Sequence, residues 1–310
     1  MTRRPVGLSL ILAAAALVTA ACAQPSGRAS AEPEVPAFPT LLDARRVVYP
    51  LQSYDVDAAR HRELEKAQDA LIDQCMQRFG FRFAPRPAGP DGEEENSRRY
   101  GLTDASVAAR DGYAVPPGEK PTRSTPAPGS DEALALFGEE KLAPSALPRN
   151  QQDAERSGGS ERVLGGARVP VGGCLTESRL KLFAPAADTV DPQLVFNLAV
   201  QAYNDSKADS RVRAAVAAWS SCLAHAGFHA ENPVSPLKEL GLTPASANAP
   251  EAVAAAEADV ACKREVNLVG IWSTVEVAYQ KRQIERNGEV LRRARGQLDE
   301  RLKLAAALTR

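Results

Sequence analysis

Apolar side chains recur at intervals of three and four over two well-separated stretches of the chain. In residues 56–79 they are Leu64, Leu71, Ile72, Cys75, Met76 and Phe79; in residues 212–226 they are Val212, Val216, Trp219, Cys222 and Leu223. That spacing puts them on one face of an amphipathic helix, so each stretch predicts one. Gly80 and Gly227 follow at the position where a left-handed residue stops a helix, and Phe81 and Phe228 can then fold back on the last turn. A further helix is predicted over residues 191–204, with Pro192 near its start and Leu194, Val195, Leu198, Ala199 and Ala202 as its buried stripe. From Glu251 onward no proline occurs and helix formers dominate, which predicts a long C-terminal helix. Within it Val277, Ile284, Leu291, Leu298 and Ala305 keep a seven-residue step. Of the partner positions, Ala294 and Leu308 fit but Gln280, Asn287 and Arg301 do not, so the pattern is half a coiled-coil seam. Asn287-Gly288 is the expected interruption. No stretch sustains a strand-like alternation, and the predicted fold class is mainly α.

The two helical stretches belong to an internal repeat. The first half reads Ile72-x-x-Cys75-Met76-x-x-x-Gly80-Phe81, then Gly101-Leu102-Thr103-x-Ala105-Ser106, then Cys174-x-x-Glu177-x-x-Leu180. The second reads Trp219-x-x-Cys222-Leu223-x-x-x-Gly227-Phe228, then Gly241-Leu242-Thr243-x-Ala245-Ser246, then Cys262-x-x-Glu265-x-x-Leu268. Three blocks in one order point to duplication. Thr103 and Thr243 suit N-caps, with Pro244 at the permitted first helical position. The third block places a cysteine on the next helix, facing the same interior.

Between these blocks, residues 84–173 are rich in Pro, Gly and charge, including the acidic run Glu93 to Glu95, and read as a long low-order insertion. Two islands look less like linker: residues 100–113, and residues 131–142 with Leu134, Leu136 and Phe137. The expected organisation is a lipoprotein signal peptide over 1–21, a tether over 22–50, the first part of the first helical unit over 51–83, the insertion over 84–173, and over 174–310 the rest of the first unit, the second unit and the long helix.

The signal reading rests on Arg3 and Arg4, the uncharged Leu- and Ala-rich run from Val6 to Ala21, and Cys22 directly after it. The run falls short of the ~20 residues that span a bilayer core. Small residues before Cys22 resemble a bacterial lipobox, which implies that Cys22 carries diacylglycerol and becomes the first residue. Four cysteines then remain: Cys75, Cys174, Cys222 and Cys262. In an exported compartment two disulfides are the default. Spacing alone leaves all three pairings open. The duplication selects Cys75 with Cys174 and Cys222 with Cys262, because equivalent cysteines should keep equivalent partners. Their wide separation argues against a zinc site, and no metal or other cofactor is expected.

Charge and composition narrow the function classes. A net charge of −1 supplies no basic field for nucleic acid, and 5% aromatic residues make a stacking platform unexpected. His225 and His229 are four apart, but Gly227 breaks the face between them. Ser178-x-x-Lys181 and Ser235-x-x-Lys238 match the SxxK pattern of penicillin-recognising enzymes at the frequency chance gives, without the accompanying motifs. Glu177 and Glu265 are equivalent in the repeat and could form a symmetric pair; a cap, an ion pair or a solvated position is the simpler reading. Trp219 is expected in the core, and Asp259 in a structural bond to a neighbouring helix end. No catalytic residue is assigned.

The lipobox, the Cys75-to-Phe81 block, Arg99-Tyr100-Gly101-Leu102 through Gly112-Tyr113, Trp219-x-x-Cys222, and Ala258-Asp259-Val260-Ala261-Cys262 with Tyr279-Gln280 together resemble uncharacterised secreted lipoproteins of high-GC actinobacteria. The resemblance implies lipid anchoring on the extracytoplasmic face of the cell membrane and carries no activity with it. The expected function is a non-catalytic interaction or structural module of the cell envelope, with the membrane and an envelope protein as partners. A solute-binding lipoprotein is the alternative, and a cell-wall hydrolase ranks behind it.

Overall fold

The computed structural model describes residues 31–85, 96–115 and 125–310. Along these the chain forms α1 (Ala58–Gln77), α2 (Ala105–Asp111), α3 (Asp131–Phe137), α4 (Gln151–Ser157), the two-residue strands β1 (Val163–Leu164) and β2 (Ala167–Arg168), then α5 (Gly173–Phe183), α6 (Leu194–Ala208), α7 (Ser210–His225), α8 (Pro250–Glu265) and α9 (Leu268–Leu308). The strands pair antiparallel as one small hairpin, so the fold is mainly α. The signal run, Cys22 and the acidic cluster Glu93 to Glu95 lie outside the described residues.

The repeat is visible in backbone geometry. At the end of α1, Gly80 has φ +82° and the Phe81 N–H donates to the Met76 carbonyl at 3.1 Å. At the end of α7, Gly227 has φ +87° and the Phe228 N–H donates to the Leu223 carbonyl at 3.0 Å. A side chain would disfavour that left-handed turn, so glycine defines both stops. Cys75 on α1 bonds to Cys174 on α5, and Cys222 on α7 bonds to Cys262 on α8. The Cα separations, 5.6 and 5.7 Å, are nearly the same, as equivalent helix pairs require. Thr243 forms a capping box with Ser246 ahead of the single turn Pro244–Ser246. In the first copy the cap moves one residue on: the Asp104 carboxylate, not Thr103, accepts the N–H groups of Ser106 and Val107. A carboxylate at the mouth of α2 reaches two orphan donors, which the Thr103 hydroxyl, buried in the core, does not.

Two sequence expectations need correction. Residues 84–173 are not a low-order insertion throughout: the islands at 100–113 and 131–142 hold α2 and α3 as their pattern suggests, and beyond them residues 143–173 add α4 and the hairpin; Tyr100, Ala108 and Ala135 are fully buried. Composition averaged over such a span hides a few well-placed apolar side chains among the prolines and glycines that turn the chain between them. The tether is also shorter than 22–50. Residues 33–50 lie against the body, with the Pro33 carbonyl accepting from Arg211, the Pro39 carbonyl accepting from Asn267, and Ala44 and Tyr49 buried.

The inserted helices serve different units. α3 packs on α5 and places Ala135 and Leu136 against the Cys75–Cys174 bridge. α2 packs on α8 of the second unit. There Leu102 and Leu242, equivalent in the repeat, meet in one cluster with Ala255, Ala256 and Val260. α9 packs on α1, α5, α6, α7 and α8. Leu268, Val269, Trp272, Val275 and Tyr279 pack with Tyr100 and Val212; Leu291 packs with Leu51, Val195 and Leu198; Leu298 and Ala305 pack with Leu64, Ala67, Leu71 and Leu182. The far part of the seven-residue seam is therefore buried by α1, α5 and α6 of the same chain. The expected interruption is present: Asn287 leaves helical geometry (φ −116°, ψ 17°) and its amide donates to the Gln283 carbonyl at 2.8 Å.

The Cys222–Cys262 bridge closes a separation of 40 residues. Replacing both cysteines by alanine should lower the unfolding free energy in guanidinium by about 4 kcal/mol, the chain-entropy value for such a loop. An unchanged denaturation midpoint would remove the bridge from the account of stability.

Candidate functional site

Three buried charges, Asp259, Lys263 and Glu276, gather around one loop, residues 96–103, which leads into α2; the fourth among the described residues, Asp209, pairs with Arg211 at the start of α7. On one side stands Lys263 of α8, 1% exposed. Its Nζ donates to Asp259 Oδ2 at 3.0 Å, to the Leu102 carbonyl at 2.9 Å and to the Pro233 carbonyl at 2.7 Å. An ammonium has three donors, and all three are used. Asp259, one turn earlier on α8, also accepts from Trp219 Nε1 at 2.9 Å and from the Tyr113 hydroxyl at 3.2 Å. Burial pushes the Asp259 carboxyl up and the Lys263 amine down, while their mutual attraction and hydrogen bonds oppose both shifts.

On the other side stands Glu276 of α9, also fully buried. It takes Arg99 in a two-pronged ion pair, accepts the Tyr100 hydroxyl at 2.8 Å and accepts Gln280 Nε2 at 2.8 Å. The Tyr49 and Tyr100 hydroxyls share a hydrogen bond of 2.9 Å, and the Arg99 guanidinium lies 4.4 Å from the centre of the Tyr49 ring. Burial works against the Arg99 cation, but Glu276 outweighs it and holds the guanidinium above its ordinary value. Burial raises the Tyr49 and Tyr100 hydroxyls and pushes Tyr203 up to about 12. Tyr100, Tyr203 and Trp272 stack together, with Tyr100 and Trp272 centred 5.0 Å apart.

Gly101 sits between the two clusters with φ +80°. A Cβ there would overlap the Pro233 carbonyl oxygen and crowd Lys263 Nζ, so only glycine admits both the turn and the close approach. The arrangement ties the segment at Tyr49, the loop, α7, the stretch at Pro233, α8 and α9 to one another through buried donors and acceptors. It is assembly chemistry: each group's partner is another part of the same chain.

The residues singled out by the sequence fall elsewhere or into this frame. Asp259 and Trp219 are core, bonded to each other. Glu177 and Glu265 do not form one site: each lies beside its own disulfide, with Glu177 Oε2 3.8 Å from Cys75 Sγ and Glu265 Oε2 3.6 Å from Cys222 Sγ. Glu177 also pairs with Arg78 and with Lys181. Burial raises its carboxyl, but the two cations outweigh burial and leave it below the ordinary 4.5. Ser178 donates to the Leu175 carbonyl at 2.9 Å while Lys181 turns to Glu177, so the SxxK pair does not act together. His225 ends α7, and His229 lies beyond Gly227. Among the described residues no cluster of His, Cys, Asp and Glu could hold a metal ion, and no helix is long and apolar enough to cross a membrane.

Sequence reasoning does not find Lys263 or Glu276 as partners of the loop. The local signal for Lys263 is its spacing: Asp259 and Lys263 are four apart on a helix, flanking a cysteine that faces inward. The chain matches no protein-family model, no curated protein and no solved structure.

Lys263→Met should destabilise the protein by about 3–5 kcal/mol, because it strands Asp259 as a buried unpaired charge. In a denaturant double-mutant cycle, Lys263→Met with Asp259→Leu should cost less than the two single changes together; additivity within ~0.5 kcal/mol would contradict the pair. The Glu177 carboxyl, depressed in the fold, contributes stability that is complete above its ordinary value and lost as pH falls through the folded value. Glu177→Gln should therefore reduce the loss of stability between pH 7 and pH 3, read from urea midpoints, and a parallel loss in both proteins would contradict it.

Proposed function

We propose that the protein is a lipid-anchored module on the extracytoplasmic face of the cell membrane, with a non-catalytic, binding or structural role in the cell envelope. The observation that carries this reading is the cysteine arrangement. Four cysteines are joined in two disulfides, which persist in an oxidising compartment. The remaining one, Cys22, stands directly after a leader-like apolar run. A diacylglyceryl group supplies two chains, enough for stable anchoring where one chain binds only marginally.

From Pro33 onward the chain is bound to the residue before α9, Asn267, and to Arg211 of α7. The internal satisfaction of Lys263, Asp259 and Glu276 supports a rigid body offering surface, more than a site that exposes a reactive group.

Replacing Cys22 by Ser should abolish palmitate incorporation and move the protein out of the membrane fraction. Unchanged labelling would overturn the anchor. Affinity capture from envelope extract should recover a protein partner above the Cys22→Ser control, and equal recovery would count against an envelope role.

A further inference from the structure

Three polar residues interrupt the apolar seam of α9: Gln280, Asn287 and Arg301. Two are accounted for inside the fold. Gln280 joins Glu276 and accepts the Leu51 N–H at 3.1 Å, and Asn287 bonds back to Gln283. Arg301 is different. Its Nε donates to the Leu182 carbonyl at 3.1 Å and its guanidinium lies 5.0 Å from the centre of the Phe183 ring. No carboxylate pairs with it among the described residues, and burial alone depresses its pKa. An arginine keeps its charge regardless. A half-buried cation without a counter-charge disfavours folding, and an apolar side chain would have continued the seam.

Arg301 lines an open cleft of about 660 Å³ between α1, α5, α6 and α9. Its walls include Leu64, Val195, Phe196 and Leu298. Phe196 remains 59% exposed, so folding leaves an aromatic wall uncovered. Arg179 of α5 adds a second positive charge to the lining and has no ion pair among the described residues. Two acids share the rim, Asp55 and Asp191. Each is engaged with local backbone, accepting the N–H of Val56 at 2.8 Å and of Gln193 at 2.9 Å.

We infer that this cleft binds a small organic acid, with its carboxylate or phosphate head on Arg301 and an apolar body against Phe196, Leu64 and Leu298. The volume lies in the range of small-molecule sites, which are mostly apolar with few orienting polar groups. A guanidinium fork matches either anionic head. The inference stands apart from the anchor at Cys22.

Calorimetric titration of the purified full chain with octanoate, methyl octanoate and inorganic phosphate tests it. Octanoate should bind, and the ester and phosphate should bind at least ~10-fold more weakly, since a charge-assisted hydrogen bond contributes ~1.5–3 kcal/mol. Arg301→Gln should weaken octanoate ~10-fold and leave the ester unchanged. Because Arg301 also touches Leu182 and Phe183, the exposed Phe196→Ser variant gives an independent check: octanoate affinity should fall at an unchanged melting temperature. Absence of octanoate binding, ester or phosphate binding as tight as octanoate, or octanoate binding undiminished in both variants would each overturn the proposal.

Discussion

Lys263 has three protons to donate and no water to receive them. Its acceptors come from three parts of the chain: Asp259 on its own helix, Leu102 in the loop before α2, and Pro233 in the segment after α7. A buried ammonium tolerates no vacancy among its partners, so the positions of these carbonyls are fixed together. That requirement draws the loop of residues 96–103 onto the second disulfide unit. It also leaves Gly101 the space of a backbone and no more. Once the loop is there, Arg99 and Tyr100 face α9, and Glu276 completes the attachment from the opposite side.

This constraint explains how the two copies of the repeat diverged. Three residues before and one after the third-block cysteine, the second unit has Asp259 and Lys263, while the first has Val171 and Leu175. Three residues before the first-block cysteine, the second has Trp219 and the first has Ile72. An apolar trio in one copy corresponds to a hydrogen-bonded polar trio in the other. The polar version binds a loop, and the loop comes from the first copy's own second block. The first disulfide, without that block, is covered by α3. The insertion thus supplies both the loop that joins the units and the helix that replaces it.

Much of this architecture is legible in the sequence because its signals are local. Three-and-four spacing marks α1, α6 and α7, glycines mark the stops at 80 and 227, and the absence of proline marks α9. The duplication identifies the disulfide pairing that spacing leaves open. What is not legible depends on long-range partners. The sequence marks residues 100–113 as an island in a polar, proline-rich span, but not that Leu102 and Tyr100 are buried, which depends on α8 and α9 about 150 positions or more away. The docked segment 33–50 has tether-like composition over its first half, yet its backbone carbonyls are what Arg211 and Asn267 recognise. The seam of α9 likewise gives no hint that its partners are α1, α5 and α6 of the same chain. Arg301 stands out along the chain only as a misfit in that seam, because a cleft cannot be seen along one helix.

Residues 96–115 are docked on the core through Tyr100, Leu102, Ala108 and Tyr113, and held there by Lys263 and Glu276. Native-state hydrogen exchange reads this directly. The amide of Gly101 donates to the Arg98 carbonyl at 3.0 Å, and that of Tyr113 donates to the Ala247 carbonyl at 2.8 Å. Both should open with the same free energy as amides in the buried first half of α9. Exchange of Gly101 and Tyr113 at the rate of an unfolded peptide, with α9 still protected, would contradict the account.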